Sequence, residues 1–260
     1  MSKISIKEIK DRYLIAKEKE KKFKWTYYVR RPASYYLAWP FLKLGISANT
    51  ITILWLSIAI FGCAFLATGG YVNMVVGTIL LEFAIILDCV DGHIARFTGP
   101  KYSGDVLDTW AGVILLVLSI LSIGIGLSKN DSEIFTSSIV KFLDVGKGVF
   151  LYLGIFAAFA SLSSWTVRIH WRTITTRLSL TPIEPDHDLR RSKPILIIDN
   201  LFHYSGALTV LMVVSSILHV MDLMLIMMAF IYGTFLVMIM YSIITKAYSM
   251  DSNPRKKMEL

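Results

Sequence analysis

The chain has 260 residues, 55% of them hydrophobic, with a mean hydropathy of +0.58 and a formal charge of +8. That apolar excess excludes an ordinary soluble domain and makes a bilayer the expected solvent. The positive charge then belongs to loops flanking a membrane rather than to a nucleic-acid surface, and no nucleic-acid partner is expected.

Residues 4–24 place Ile6, Ile9, Tyr13 and Ala16 at helical spacing among lysines. This pattern predicts an amphipathic helix on an anionic membrane surface, with a solvated charged tail as the alternative. Trp25, Tyr27 and Tyr28 suit the headgroup belt. Arg30-Arg31-Pro32 and Trp39-Pro40 are expected to break the helix and turn the chain toward the bilayer. The first apolar run begins only near residue 50, after a lysine-rich stretch, so no signal peptide is expected.

Six spans of membrane-crossing length follow, at about 50–68, 72–97, 106–128, 143–168, 205–221 and 222–247. The fifth and sixth meet at a short polar turn, His219 to Asp222. Cys63 and Cys89 fall within apolar segments without CxxC or His-rich spacing and read as small buried hydrophobes. If the six spans alternate, 24 of the 27 Lys and Arg lie on one side, and only Lys129, Lys141 and Lys147 lie on the other. This bias orients both termini toward the cytoplasm. The expected fold is an all-α polytopic membrane protein with six transmembrane helices and a cytoplasmic amphipathic juxtamembrane helix. Residues 1–49 form the cytoplasmic and interfacial segment, 50–247 the membrane domain and 248–260 a cytoplasmic tail. No internal repeat or pair of broken spans points to a transporter.

The second span ends in Asp88-Cys-Val-Asp91-Gly92-His-Ile-Ala95-Arg96, and the third opens with Gly104-x-x-x-Asp108. Aspartates at i and i+3 share a helix face, and ionisable groups at a membrane edge point to function. Their simplest use is to hold a divalent cation; the alternative is a set of salt bridges to Arg96 and Lys101.

These residues closely resemble the signature of the CDP-alcohol phosphotransferases, membrane enzymes that make phospholipids. Gly45 to Thr52 is similar to the stretch that opens the family's first span, usually Pro-Asn-x-x-Thr, with Ala48 in the proline position. The resemblance implies Asp88, Asp91 and Asp108 as ligands of Mg²⁺ or Mn²⁺, as two ions. It places Asn49, Thr52, Gly92, Ala95 and Arg96 in the CDP pocket. The implied reaction is attack by an acceptor hydroxyl on the phosphorus carrying the alcohol, with CMP leaving. CDP-diacylglycerol is the favoured donor, membrane lipids are partners, a homodimer is expected, and the site faces the cytoplasm.

Two departures stand out. Seven residues separate Arg96 from Gly104 where the family usually has eight, so Lys101 takes the place of the usual hydroxyl residue and Ser103 is its nearest replacement. The family's fourth aspartate, its usual general base, is Gly112 here. Asp105 or His93 as a substitute, water completing the metal shell, and a member that binds nucleotide or lipid without turnover all remain open.

Elsewhere the readings are plainer. Glu82 is expected to make an interhelical hydrogen bond, and Asp144 to pair with Lys141 or Lys147. Arg168, His170, Arg172 and Arg177 are orientation charges, with an acceptor-phosphate role as the alternative. The loop from Thr181 to Asn200 is expected to cover the site, and its Asp186-His187-Asp188 triplet is not read as a metal site.

Overall fold

In the computed structural model, residues 5–99, 101–129, 146–177 and 193–252 are described, and every element among them is a helix. Helix α1 (Ile6–Glu20) starts at Ser5, whose hydroxyl accepts from Glu8 N at 3.2 Å. Part of its apolar stripe faces protein. Ile9 and Tyr13 are 1% and 2% exposed because α1 packs on the helices that follow. The Tyr13 ring meets those of Tyr35 and His93 at centroid distances of 5.9 and 5.6 Å, a fuller burial than a membrane surface offers.

A five-residue π-helix (Thr26–Arg30) leads directly into α2 (Arg31–Lys43). The prolines do not break the helix as expected. Pro32 sits in the first turn of α2, where its missing N–H is harmless. The helix runs through Pro40 to Lys43, and the chain turns at Gly45 with φ +68°.

Among the described residues, five helices are long and apolar enough to cross a bilayer: α3 (Ala48–Thr68), α4 (Tyr71–Thr98), α5 (Tyr102–Lys129), α6 (Gly148–Arg177) and α9 (Met221–Ser252). At 1.5 Å per residue even the 21-residue α3 spans about 30 Å, the thickness of the hydrocarbon core. Ser47 caps α3 by accepting from Thr50 N at 3.2 Å. In lipid, helices associate by close van der Waals packing, and glycines permit it. A Cβ at Gly77 would lie 2.7 Å from Gly62 O across the α3–α4 contact, and one at Gly124 would lie 2.9 Å from Gly154 Cα between α5 and α6.

The expected fifth span, 205–221, is helical as one element only over residues 208–217, and a further helix precedes it. A ten-residue helix α7 (Lys193–Phe202) and a ten-residue helix α8 (Leu208–Ile217) flank a turn over residues 203–207. Gly206 permits the turn: a Cβ there would meet Asn200 O at 1.9 Å. Exposed carbonyls at such a break are costly in a bilayer, and the buried Arg30 guanidinium satisfies them. It donates to Tyr204 O at 2.7 Å and to Gly206 O at 2.9 Å. The same side chain donates to both carboxylate oxygens of Glu82, at 2.9 and 2.8 Å. Glu82 also accepts from Trp25 Nε1 at 3.1 Å and from the Thr209 hydroxyl, so it joins helices as the sequence suggests. Tyr204 in turn pairs its hydroxyl with Ser119 of α5.

The expected turn before α9 is present, with His219 in the left-handed region at φ 58° and stacked on Tyr71 at 4.3 Å. Both cysteines are buried and free, matching their reading as hydrophobes. Lys141, Asp144 and the Asp186-His187-Asp188 triplet lie outside the described residues.

Candidate active site

Three helix ends build the site. Asp88 and Asp91 lie one turn apart near the end of α4, and Asp108 lies in the second turn of α5. One carboxylate oxygen from each falls within 4.8 Å of the others. Three anionic oxygen donors brought this close repel one another unless a cation sits among them, and hard oxygens suit hard divalent ions. The donor set therefore fits Mg²⁺ or Mn²⁺, which Asp88, Asp91 and Asp108 would hold.

The fixed member of the trio is Asp91, which is 7% exposed. Its Oδ2 accepts from the Thr52 hydroxyl at 2.8 Å and from Trp55 Nε1 at 2.9 Å, both on α3. Orienting bonds of this kind aim a carboxylate before any ligand arrives. Thr52 is thus placed against a carboxylate rather than on an open surface, and Trp55, one turn later on the same helix face, does the same work. Sequence reasoning missed Trp55. Its signal was an indole N–H three residues from Thr52 in an apolar run, a donor that needs a partner when buried.

Asn49, at the start of α3, donates from Nδ2 to Ser103 Oγ at 3.2 Å, and its Oδ1 lies 3.1 Å from the Cβ position of Gly104. This contact pins α3 to the first turn of α5. Lys101 is exposed just before that turn. Gly92, Ala95 and Arg96 are all partly accessible on α4, and Arg96 lies against Gly92, with Nη1 3.4 Å from the glycine's Cβ position.

A cavity of about 360 Å³ extends from Asp88 and Asp108 into the bundle. Its walls are mostly apolar, with Leu116 and Val113 from α5, Trp165 from α6 and Phe235 from α9 among them. Gly112 lines this cavity, and a Cβ there would meet nothing within 4 Å. The position of the expected base is therefore open space.

Neither suggested substitute joins the trio. Asp105 is exposed and lies outside the three-carboxylate group. His93 is buried behind α2, with Nε2 bonded to Ser34 Oγ at 3.0 Å, and does not line the cavity. Of the basic residues ending α6, Arg168 lines the cavity, whereas His170, Arg172 and Arg177 are exposed away from it. Of the loop from Thr181 to Asn200, the part before residue 193 lies outside the described residues and Ile198 of α7 lines the cavity; just after it, Phe202, His203 and Tyr204 line it too.

Compared with curated proteins, the chain finds no match. A family profile described as CDP-alcohol phosphatidyltransferase matches residues 46–175, half of the chain, from the turn before α3 to the end of α6. That stretch contains the three aspartates, their two orienting donors and Gly112. The chain is a member of the CDP-alcohol phosphatidyltransferase family, transferases of lipid synthesis, built on apolar helices of an integral membrane protein.

Proposed function

We propose that the protein transfers a phospho-alcohol group from a CDP-alcohol, with CDP-diacylglycerol as donor, to an acceptor hydroxyl. The observation that carries this reading is the convergence of Asp88, Asp91 and Asp108 at the mouth of an apolar cavity. A polar, metal-fitting end beside a greasy chamber suits a substrate with a nucleotide diphosphate at one end and acyl chains at the other. In the reaction, the acceptor oxygen bonds to the phosphorus bearing the alcohol. The bond from that phosphorus to the bridging oxygen breaks, CMP leaves, and the acceptor proton is released. Divalent ions, when bound, would neutralise the pyrophosphate charge.

The residues of the chain then divide the work. Asp88, Asp91 and Asp108 hold the metal, Thr52 and Trp55 fix Asp91, and Gly92 lets the nucleotide approach the backbone. Arg96 faces phosphate. The 24-to-3 distribution of basic residues supports a cytoplasmic site and cytoplasmic termini, with α7, its break and α8 together making the sixth crossing. Arg30 supports that crossing by closing the break.

Gly112 favours a second reading, a member that binds nucleotide without turnover. One assay separates the two. Protein in lipid nanodiscs with Mn²⁺ or Mg²⁺ is given a panel of CDP-alcohols and hydroxyl acceptors, and CMP release is followed. Release with one donor–acceptor pair supports the transferase. CDP binding without release across the panel overturns it in favour of the second reading.

A further inference from the structure

Arg31 belongs to α2, ahead of the stretch that the family profile matches. In the sequence it was only a basic residue beside a proline. In the fold its guanidinium reaches the glycine of the acidic motif: Nη1 lies 3.7 Å from the Cβ position of Gly92. Arg96 reaches the same point from the other direction, with Nη1 at 3.4 Å and Nη2 at 3.8 Å. Two guanidiniums thus converge where α4 has no side chain.

Both cations are held in place. Arg31 is 9% exposed, and its Nη1 donates to Cys89 O at 3.0 Å. The Tyr13 ring lies against both guanidiniums, 5.1 Å from Arg31 Cζ and 5.5 Å from Arg96 Cζ. Arg31 also lines, together with Asp88, Cys89 and Ser205, a cavity of about 110 Å³. Two like charges gathered at a bare helix face beside a carboxylate cluster form a preset binding geometry for an anion. A planar fork is the side chain that grips phosphate oxygens in pairs.

We propose that Arg31 is a donor-binding residue that, with Arg96, holds a phosphate of the CDP-alcohol across the Gly92 face. The assignment rests on the proposed donor site and extends it beyond the family-matched region, to the helix that precedes the first span. The competing role is purely structural, a staple from α2 to Cys89 O. Arg31→Gln keeps a side-chain N–H for that staple and removes the charge. Arg31→Lys keeps the charge and removes the fork.

The test measures CDP and cytidine affinity by calorimetry in nanodiscs with Mn²⁺, and donor and acceptor KM from CMP release. Arg31→Gln is expected to weaken CDP binding and raise donor KM by roughly tenfold or more, with Arg31→Lys intermediate. Cytidine affinity and acceptor KM should stay at wild-type values. Unchanged CDP affinity, or equal losses for CDP and cytidine, would overturn the assignment. If Arg31→Gln does not fold, Arg31→Lys decides: a wild-type donor KM and CDP affinity in that variant overturn it. Wild-type protein that binds no CDP would instead remove the donor site itself, and this assignment with it.

Discussion

Arg30 and Glu82 form a two-pronged ion pair, Nε to Oε1 at 2.9 Å and Nη2 to Oε2 at 2.8 Å, with the Arg30 side chain wholly shielded and that of Glu82 16% exposed. The pair joins the segment before the first span to the middle of α4, and through Arg30 to the break between α7 and α8. Losing one partner strands the other charge in a place without water, which costs about 3–5 kcal/mol. Glu82→Ala should therefore lower the thermal unfolding midpoint in detergent sharply. The double variant Arg30→Met/Glu82→Leu should lose less than the two single losses added together, since neither charge is stranded.

Removing one ligand from the carboxylate trio should be felt in metal binding before it is felt in chemistry. Asp88→Asn is expected to abolish high-affinity Mn²⁺ binding, so that the free-ion EPR signal stays undiminished when protein is added, and to abolish CMP release with it. Retained Mn²⁺ affinity would place the metal elsewhere.

Thr52 and Trp55 hold Asp91 without facing the metal themselves. Thr52→Val and Trp55→Phe each remove one hydrogen bond while keeping shape, and should weaken Mn²⁺ affinity or activity by about 10–100-fold. Wild-type metal affinity and turnover in both would show that Asp91 needs no orientation.

Gly112 opens onto the cavity with room for a side chain. If release of the acceptor proton limits turnover, Gly112→Asp should raise the rate of CMP release by roughly 100-fold, within the usual worth of a positioned base. Gly112→Asn, of equal size and unable to take the proton, should not. A rise in both variants would assign the effect to packing.

The sequence carried the carboxylate trio because helical spacing and two adjacent spans suffice to bring Asp88, Asp91 and Asp108 together. It carried Glu82 for the same reason, since an acid inside an apolar run must find a partner. Contacts between distant segments were hidden. Nothing local to Arg30 says that its carbonyl partners lie 174 and 176 residues away. The amphipathic stripe of α1 was visible, but a periodicity cannot tell whether its apolar side meets lipid or Tyr35 and His93. The fifth span was read as starting at residue 205 because the composition is apolar from Gly206 on. Only the close approach of Gly206 to Asn200 reveals that the backbone turns there. Arg31 was invisible as a site residue because its value comes from what α4 places opposite it, whereas Trp55 announced only that its indole N–H needs a partner.

The cap that Arg30 places on the 203–207 break also imposes an order on assembly. Its carboxylate partner appears 52 residues later in the chain, whereas its last partner, Thr209, appears 179 residues later. During synthesis the cation is therefore half-satisfied by Glu82 long before the carbonyls of Tyr204 and Gly206 exist. The newly made bundle of early helices must wait with a polar cleft that only the late, divided helix can close. A chain stopped before residue 204 would keep its three aspartates and its family-matched region, yet it would leave a guanidinium facing an unfinished wall.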